Sequence, residues 1–179
     1  MELGIEAVAR WRAAGVEPCV VEVGTGSGAV AVSLALACGV RVVATEVSWD
    51  ALTLARENAT QLGALSVRFV QADLLAGLGG PIHVLLANLP YVPDARPLPA
   101  DVRDFEPHVA LFGGVRGTEL IERLLHQARD KVVGEVCVEL DEEEQAQPVA
   151  ALARSLYEGA DVTICQDGGG YDRVVRVSM

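Results

Sequence analysis

Apolar residues along this chain fall into two alternating patterns. Short unbroken runs bounded by Gly, Pro or charge read as buried strands, and longer segments with apolar positions three and four apart read as amphipathic helices. The first helix runs from about residue 2 to 14, with Ile5, Val8 and Trp11 on one side. The pattern then predicts a strand at Cys19–Val23, a helix from Ser27 to Cys38, a strand at Arg41–Thr45 and a helix from Trp49 to Leu62. Strands follow at Ser66–Val70 and Ile82–Ala87. Pro93, Pro97, Pro99 and Pro107 predict a loop without regular structure. Beyond it come a helix at Gly117–Arg129, a strand at Val132–Glu139 and a helix at Glu142–Tyr157. Two closing strands, Asp161–Cys165 and Arg173–Val177, flank Gly168-Gly169-Gly170 as a hairpin.

Strands spaced by helices imply an α/β architecture of three layers, a Rossmann-like, seven-stranded and mostly parallel sheet covered on both faces. The closing hairpin supplies the antiparallel edge. We expect one domain over residues 1–179.

Composition narrows the function classes. About half the residues are hydrophobic, but no apolar stretch is long enough for a membrane span, and the N-terminus lacks a basic region followed by an apolar one. A cytoplasmic protein without a membrane partner is the expectation. Formal net charge is −11 and Lys131 is the only lysine, so non-specific binding to a phosphate backbone is disfavoured. The acidic run Asp141–Glu144 reads as a solvated helix start, favoured by the helix dipole. Cys19, Cys38, Cys137 and Cys165 are widely spaced and read as buried reduced thiols. His83, His108 and His126 lack ligand spacing, so no metal is expected; His108 is a candidate for lining a substrate loop.

Candidate chemistry begins where the first strand runs into Gly24-Thr25-Gly26-Ser27-Gly28. Glycines permit a tight turn and let a ligand press on backbone where a Cβ would collide. Open α/β sheets bind ligands at this carboxyl end. Glu46, ending the next strand, can accept hydrogen bonds from both hydroxyls of a ribose. Asp73, just past the third strand, can receive an adenine amino group, with Ala72 or Leu74 lining the base. The candidate cofactor set is Glu22, Gly24, Thr25, Gly26, Gly28, Glu46, Val47, Asp73, Leu74 and Asn88. Gly24, Gly26 and Ala29 also satisfy the looser dinucleotide pattern, which keeps NAD in contention at this level. A nicotinamide enzyme needs a second mononucleotide half or a hydride-handling group, and neither is visible, which points to S-adenosyl-L-methionine (AdoMet) and its product S-adenosyl-L-homocysteine.

Asn88-Leu89-Pro90-Tyr91 at the exit of the fourth strand is the candidate catalytic group. It puts an amide, exposed backbone carbonyls and an aromatic ring at one sheet edge, where they can grip a planar NH2.

With these residues in view, the chain resembles the HemK family of protein-glutamine methyltransferases. The run Val21–Ala35 resembles that family's first motif, and Ala44–Asn58 is similar to its second. Val102–Gly114, with Gly117 and Arg123-Leu124-Leu125, looks like the substrate-side loop and following helix, and Gly170–Val175 fits the final hairpin. The resemblance implies a class I AdoMet-dependent methyltransferase fold and methylation of the glutamine in the Gly-Gly-Gln motif of a peptide chain release factor. It further implies that the Asn88 side chain and the Leu89 carbonyl orient the acceptor nitrogen, with Tyr91 as a wall and Asp104–Pro107 closing over the substrate. Two departures stand out. The family usually has Asn-Pro-Pro-Tyr where this chain has Leu89, and its bacterial members usually carry a helical N-terminal domain and an Arg-Pro-Glu-Thr segment that this chain lacks. Asn-Leu-Pro-Tyr also resembles the motif of the ribosomal RNA adenine dimethylases, whose glycine turn usually differs. Two alternatives stay open: an N6-adenine methyltransferase acting on RNA or DNA, and a non-catalytic AdoMet-binding partner subunit.

Overall fold

The computed structural model describes residues 1–97, 111–140 and 143–179. Helix α1 spans Glu2–Ala13. It is followed by β1 (Val20–Val23), α2 (Ala29–Cys38), β2 (Val42–Glu46), α3 (Trp49–Leu62) and β3 (Val67–Gln71). Then come β4 (Ile82–Ala87), the short β5 (Val92–Pro93) and β6 (Phe112–Gly114), α4 (Glu119–Ala128), β7 (Val132–Glu139), α5 (Glu143–Leu156), β8 (Asp161–Gln166) and β9 (Asp172–Ser178).

Seven strands form one sheet in the order β3-β2-β1-β4-β7-β9-β8, and only β9 runs antiparallel to its neighbours. This is the Rossmann-like architecture of class I AdoMet-dependent methyltransferases, with the antiparallel edge at the C-terminal end. The chain winds outward from β1 to β3 and then returns to place β4 on the other side of β1. The carboxyl ends of β1 and β4 therefore lie side by side at the switch point, where Glu22 pairs across to Leu86 and Val23 to Ala87. Crossover connections divide the helices between the two faces. On one face Leu124, Leu125, Val149 and Ala153 of α4 and α5 pack on Leu85 and Val136. On the other, Val8, Leu34 and Ala59 of α1, α2 and α3 pack on Val84 and Leu86.

Local chemistry sets several boundaries. Ser48 caps α3 by accepting a hydrogen bond from the Ala51 amide at 3.3 Å, and Gly63 closes the same helix in the left-handed region. Two arginines on different elements, Arg10 and Arg176, converge on the buried Glu135 of β7 and compensate its charge. The structure differs from sequence expectation in two places. Val92–Pro93 is not irregular but pairs in parallel with Phe112–Gly114, forming a two-stranded sheet separate from the main one. All four cysteines are free thiols, yet only Cys137 is buried; Cys19 is exposed and precedes β1, so its strand no longer hides it.

Gly134 gives a direct test of the packing between β7 and β4. A Cβ there would stand 2.2 Å from the His83 carbonyl oxygen and 2.9 Å from the Trp11 ring. Gly134→Ala is expected to lower unfolding free energy by about 3 kcal/mol in urea titration, the upper range for overpacking.

Candidate functional site

The glycine turn after β1 is built by backbone geometry. Gly24, Gly26 and Gly28 all have positive φ, at 73°, 54° and 84°. At Gly28 the reason is packing, since a Cβ would meet that of Ala55 at 3.1 Å. Gly24 is empty so that another side chain can fill it: a Cβ there would lie 2.7 Å from Leu89 Cδ2. Gly26 has no protein atom within 4 Å of where its Cβ would stand, and it faces a cleft.

That cleft has a volume of about 560 Å³. Gly24, Glu46, Val47, Asp73, Leu74 and Leu89 are among the residues lining it. Leu54 and Leu120 contribute to the apolar part of its wall. Leu74 is the one non-glycine among the described residues with positive φ, at 55°, a backbone conformation unfavourable for a side chain with a Cβ. Its strain sits on the cleft wall.

Glu46 organises the cleft from within. One carboxylate oxygen accepts from the amides of Val47 and Ser48 at 2.9 and 3.0 Å, and the other accepts from the Gly26 amide at 3.0 Å. The carboxylate thus ties the end of β2 to the glycine turn and, of its roughly four lone-pair sites, keeps one for a further donor. Asp73 also lines the cleft, half exposed, and accepts from Arg123 of α4 at 2.6 Å. Sequence reasoning placed Asp73 at an adenine amino group without seeing this cation. Arg123 follows Asp73 by 50 positions, and only the docking of α4 brings the two together.

Thr25 does not line the cleft. It is buried and donates its hydroxyl to Glu22, which also accepts from the Ala31 amide at 3.0 Å. Burial pushes the Glu22 carboxyl up to about 7, against the lowering effect of those two hydrogen bonds.

Glu22 belongs to a second, smaller crevice of about 50 Å³ on the α1–α2 side of the sheet. Asn88 and Glu139 line the same crevice from the ends of β4 and β7, beside Met1 and Leu3 of the N-terminal segment. Asn88 is exposed, and its side-chain amide has no hydrogen-bond partner among the described residues. Leu89 turns the other way. Its side chain is buried against Gly24, and Pro90 follows on the wall of the large cleft. Tyr91 is half-buried, and its carbonyl accepts from Gln145 at 2.8 Å. The four consecutive residues therefore bridge the two cavities. His108 and Asp104–Pro107 lie outside the described residues.

These features fit a nucleoside-bearing cofactor. The cleft has the needed size, a backbone face at Gly26 that no side chain covers, and carboxylates at two successive strand ends. They fit AdoMet, the cofactor of this fold.

The chain is similar to known proteins in sequence and in fold. Residues 20–97 match the family described as a methyltransferase domain. A release factor glutamine methyltransferase of Deinococcus radiodurans is 40% identical over 165 residues, covering 89% of this chain and 58% of its own length. One from Moorella thermoacetica is 41% identical over 168 residues, covering 88% of this chain and 59% of its own. The chain thus spans under two thirds of the length of these relatives. A solved complex from E. cuniculi, Mtq2–Trm112, described as responsible for methylating the eRF1 translation termination factor, shares the fold. It superposes with a TM-score of 0.66 at 22% identity, covering 99% of this chain and 93% of that one.

Two outcomes test the geometry. Glu22 has a folded pKa above its unfolded value near 4.5, so the folded state holds the extra proton between the two. Stability contributed by the neutral carboxyl is present below that range and is lost as pH rises to about 7. Urea titrations at pH 5 and pH 8 should show Glu22→Gln gaining on the parent by on the order of 3 kcal/mol across the interval. Gly26→Ala places a methyl group in the cleft at positive φ. We expect AdoMet affinity by calorimetry to fall at least about tenfold, for a stability loss of only about 1–2 kcal/mol.

Proposed function

We propose that this chain, which belongs to the HemK family of release factor glutamine methyltransferases as its catalytic methyltransferase domain, transfers a methyl group from AdoMet to an amide nitrogen. The acceptor is the glutamine of the Gly-Gly-Gln motif of a peptide chain release factor. The observation carrying this reading is Asn88, an exposed and unpaired amide that lines the second crevice and directly precedes Leu89 and Pro90 of the cofactor cleft.

Glu46, Asp73, Val47, Leu74 and the Gly24–Gly26 backbone are the residues that would hold AdoMet. When bound, that cofactor supplies an electrophilic methyl group on a sulfonium, so the protein's remaining task is the acceptor. An amide nitrogen is a poor nucleophile because its lone pair is delocalised into the carbonyl. The Asn88 side-chain oxygen can accept one N–H, and the Leu89 carbonyl, to which none of the described residues donates, can accept the other. Two fixed acceptors orient the nitrogen and favour the positive charge it gains, through positioning and electrostatic preorganisation. Pro90 restricts the backbone of Leu89 so that its carbonyl keeps its direction. Burial of the Leu89 side chain against Gly24 does the same from the other end. Tyr91 walls the acceptor pocket. The proton released after transfer passes to water.

A cytoplasmic location accompanies this reading, since four free thiols suit a reducing compartment. Among the described residues no helix is long and apolar enough to cross a membrane.

Incubation with AdoMet and a release factor, followed by mass spectrometry of the Gly-Gly-Gln peptide, should show one added methyl group on the glutamine. Asn88→Ala should reduce turnover by about 10²-fold, the scale of losing one preorganised oxyanion donor, with AdoMet binding nearly unchanged. Equal loss of binding and rate would remove Asn88 from the acceptor site. Methylation of adenine-containing RNA in place of the glutamine would overturn the substrate, and AdoMet binding with no acceptor turned over would mark a partner subunit.

A further inference from the structure

The exit of β4 is joined to the rest of the molecule in an unusual way. β5 and β6 pair only with each other, not with the seven-stranded sheet. Their contact with the β4 exit is backbone on backbone. A Cβ at Gly113 would stand 2.3 Å from the Pro90 carbonyl oxygen, and one at Gly117 would stand 2.0 Å from that of Tyr91. No side chain fits between these segments, so apolar packing cannot lock them together there.

Gln145 reaches into this junction from the first turn of α5. It is only 5% exposed. Its Nε2 donates to the Tyr91 carbonyl at 2.8 Å and to the Arg116 carbonyl at 3.3 Å. One residue of the acceptor motif and one residue before α4 are thereby held by the same amide group. A primary amide suits the position because it offers two N–H donors without a charge. The contacts also fix its orientation, since the flipped amide would set its oxygen against two carbonyl oxygens. Glutamate would do the same with a negative charge, and methionine would fill the volume with no donor. A Cβ at Gly117 would also meet Gln145 Nε2 at 2.7 Å, so the glycine keeps open the space the amide uses.

We propose that Gln145 is a positioning residue for the acceptor: it pins the backbone of Tyr91 to that of Arg116 and so sets the direction in which Asn88 and Leu89 present their oxygens. This inference rests on the reading that the β4 exit binds the acceptor. Gln145 touches neither the cofactor cleft nor the crevice at Asn88, so its effect separates acceptor handling from cofactor binding.

The test pairs hydrogen exchange with steady-state kinetics in Gln145→Met, and repeats both in Gln145→Glu in case the first variant does not fold. Exchange at residues 91–92 and 112–117 should accelerate about tenfold or more, while β1 and α3 keep the protection of the parent. AdoMet Kd should stay within about twofold, and kcat/KM for the release factor should fall by about tenfold or more. Unchanged exchange at those residues overturns the proposal, as does parental methylation at the parental rate, or loss of AdoMet binding in step with rate. If the unsubstituted protein does not methylate the release factor, the acceptor reading fails. The pinning role is then decided by the exchange and cofactor-binding measurements alone.

Discussion

The site depends on contact between two neighbouring strand exits. Gly24 has no side chain, and Leu89 occupies the room this leaves. A Cβ at Gly24 would stand 2.7 Å from Leu89 Cδ2, so that side chain would have to shift away from the turn after β1. With the glycine in place, the turn after β1 and the motif after β4 become one packed unit at the switch point of the sheet. Leu89 then has two separable jobs. Its backbone carbonyl is the one proposed above to meet the acceptor, while its side chain lines the large cleft. The usual proline of the family leaves the first job unchanged, so the substitution concerns the cleft lining more than the chemistry.

Carboxylates do different work at successive strand ends. Glu46 is an organiser that accepts from the amides of Val47 and Ser48 after β2 and of Gly26 in the glycine turn, so the two segments are tied before any ligand arrives. Glu22 is one residue from the end of β1, lies under the start of α2, and is buried with Thr25 and Ala31. Asp73 stands beyond β3 and is held by a cation from α4. Their environments differ in how far along its strand each one sits: Glu22, one position short of the end, is covered by α2, whereas Glu46 at the end of β2 and Asp73 beyond β3 reach the cleft.

Most of the fold was legible because its signals are local. Ile82–Ala87, Val132–Glu139 and Trp49–Leu62 begin and end where punctuation by Pro, Gly, Ser or charge places them, and the predicted boundaries agree with the observed ones. The pairing of Val92–Pro93 with Phe112–Gly114 was not legible, because two residues carry no periodicity and Pro argues against a strand. At the site, the glycine turn, Glu46 and Asn88 announce themselves by following apolar runs. Gln145 does not. It sits in an acidic helix start where a polar residue reads as solvated, and its partners lie 54 and 29 positions away. Arg123 was noticed for its place in a motif, yet nothing in the sequence tied it to Asp73. Both misses are long-range side-chain contacts, which depend on how helices dock and not on what they are made of.

The Asp73–Arg123 pair has one more consequence. Both partners are about half exposed, so the pair is a solvent-screened contact at the rim of the cleft and not a buried one. A base amino group that seeks Asp73 must share it with Arg123 or displace it. Added salt weakens such a pair and makes displacement easier, whereas it also weakens the attraction of a strongly acidic protein for a cationic ligand. The two effects oppose each other. The ionic-strength response of ligand affinity at this cleft is therefore set by one arginine on α4 as well as by the net charge, which makes Arg123 the residue through which the solution's salt reaches Asp73 and its side of the cleft.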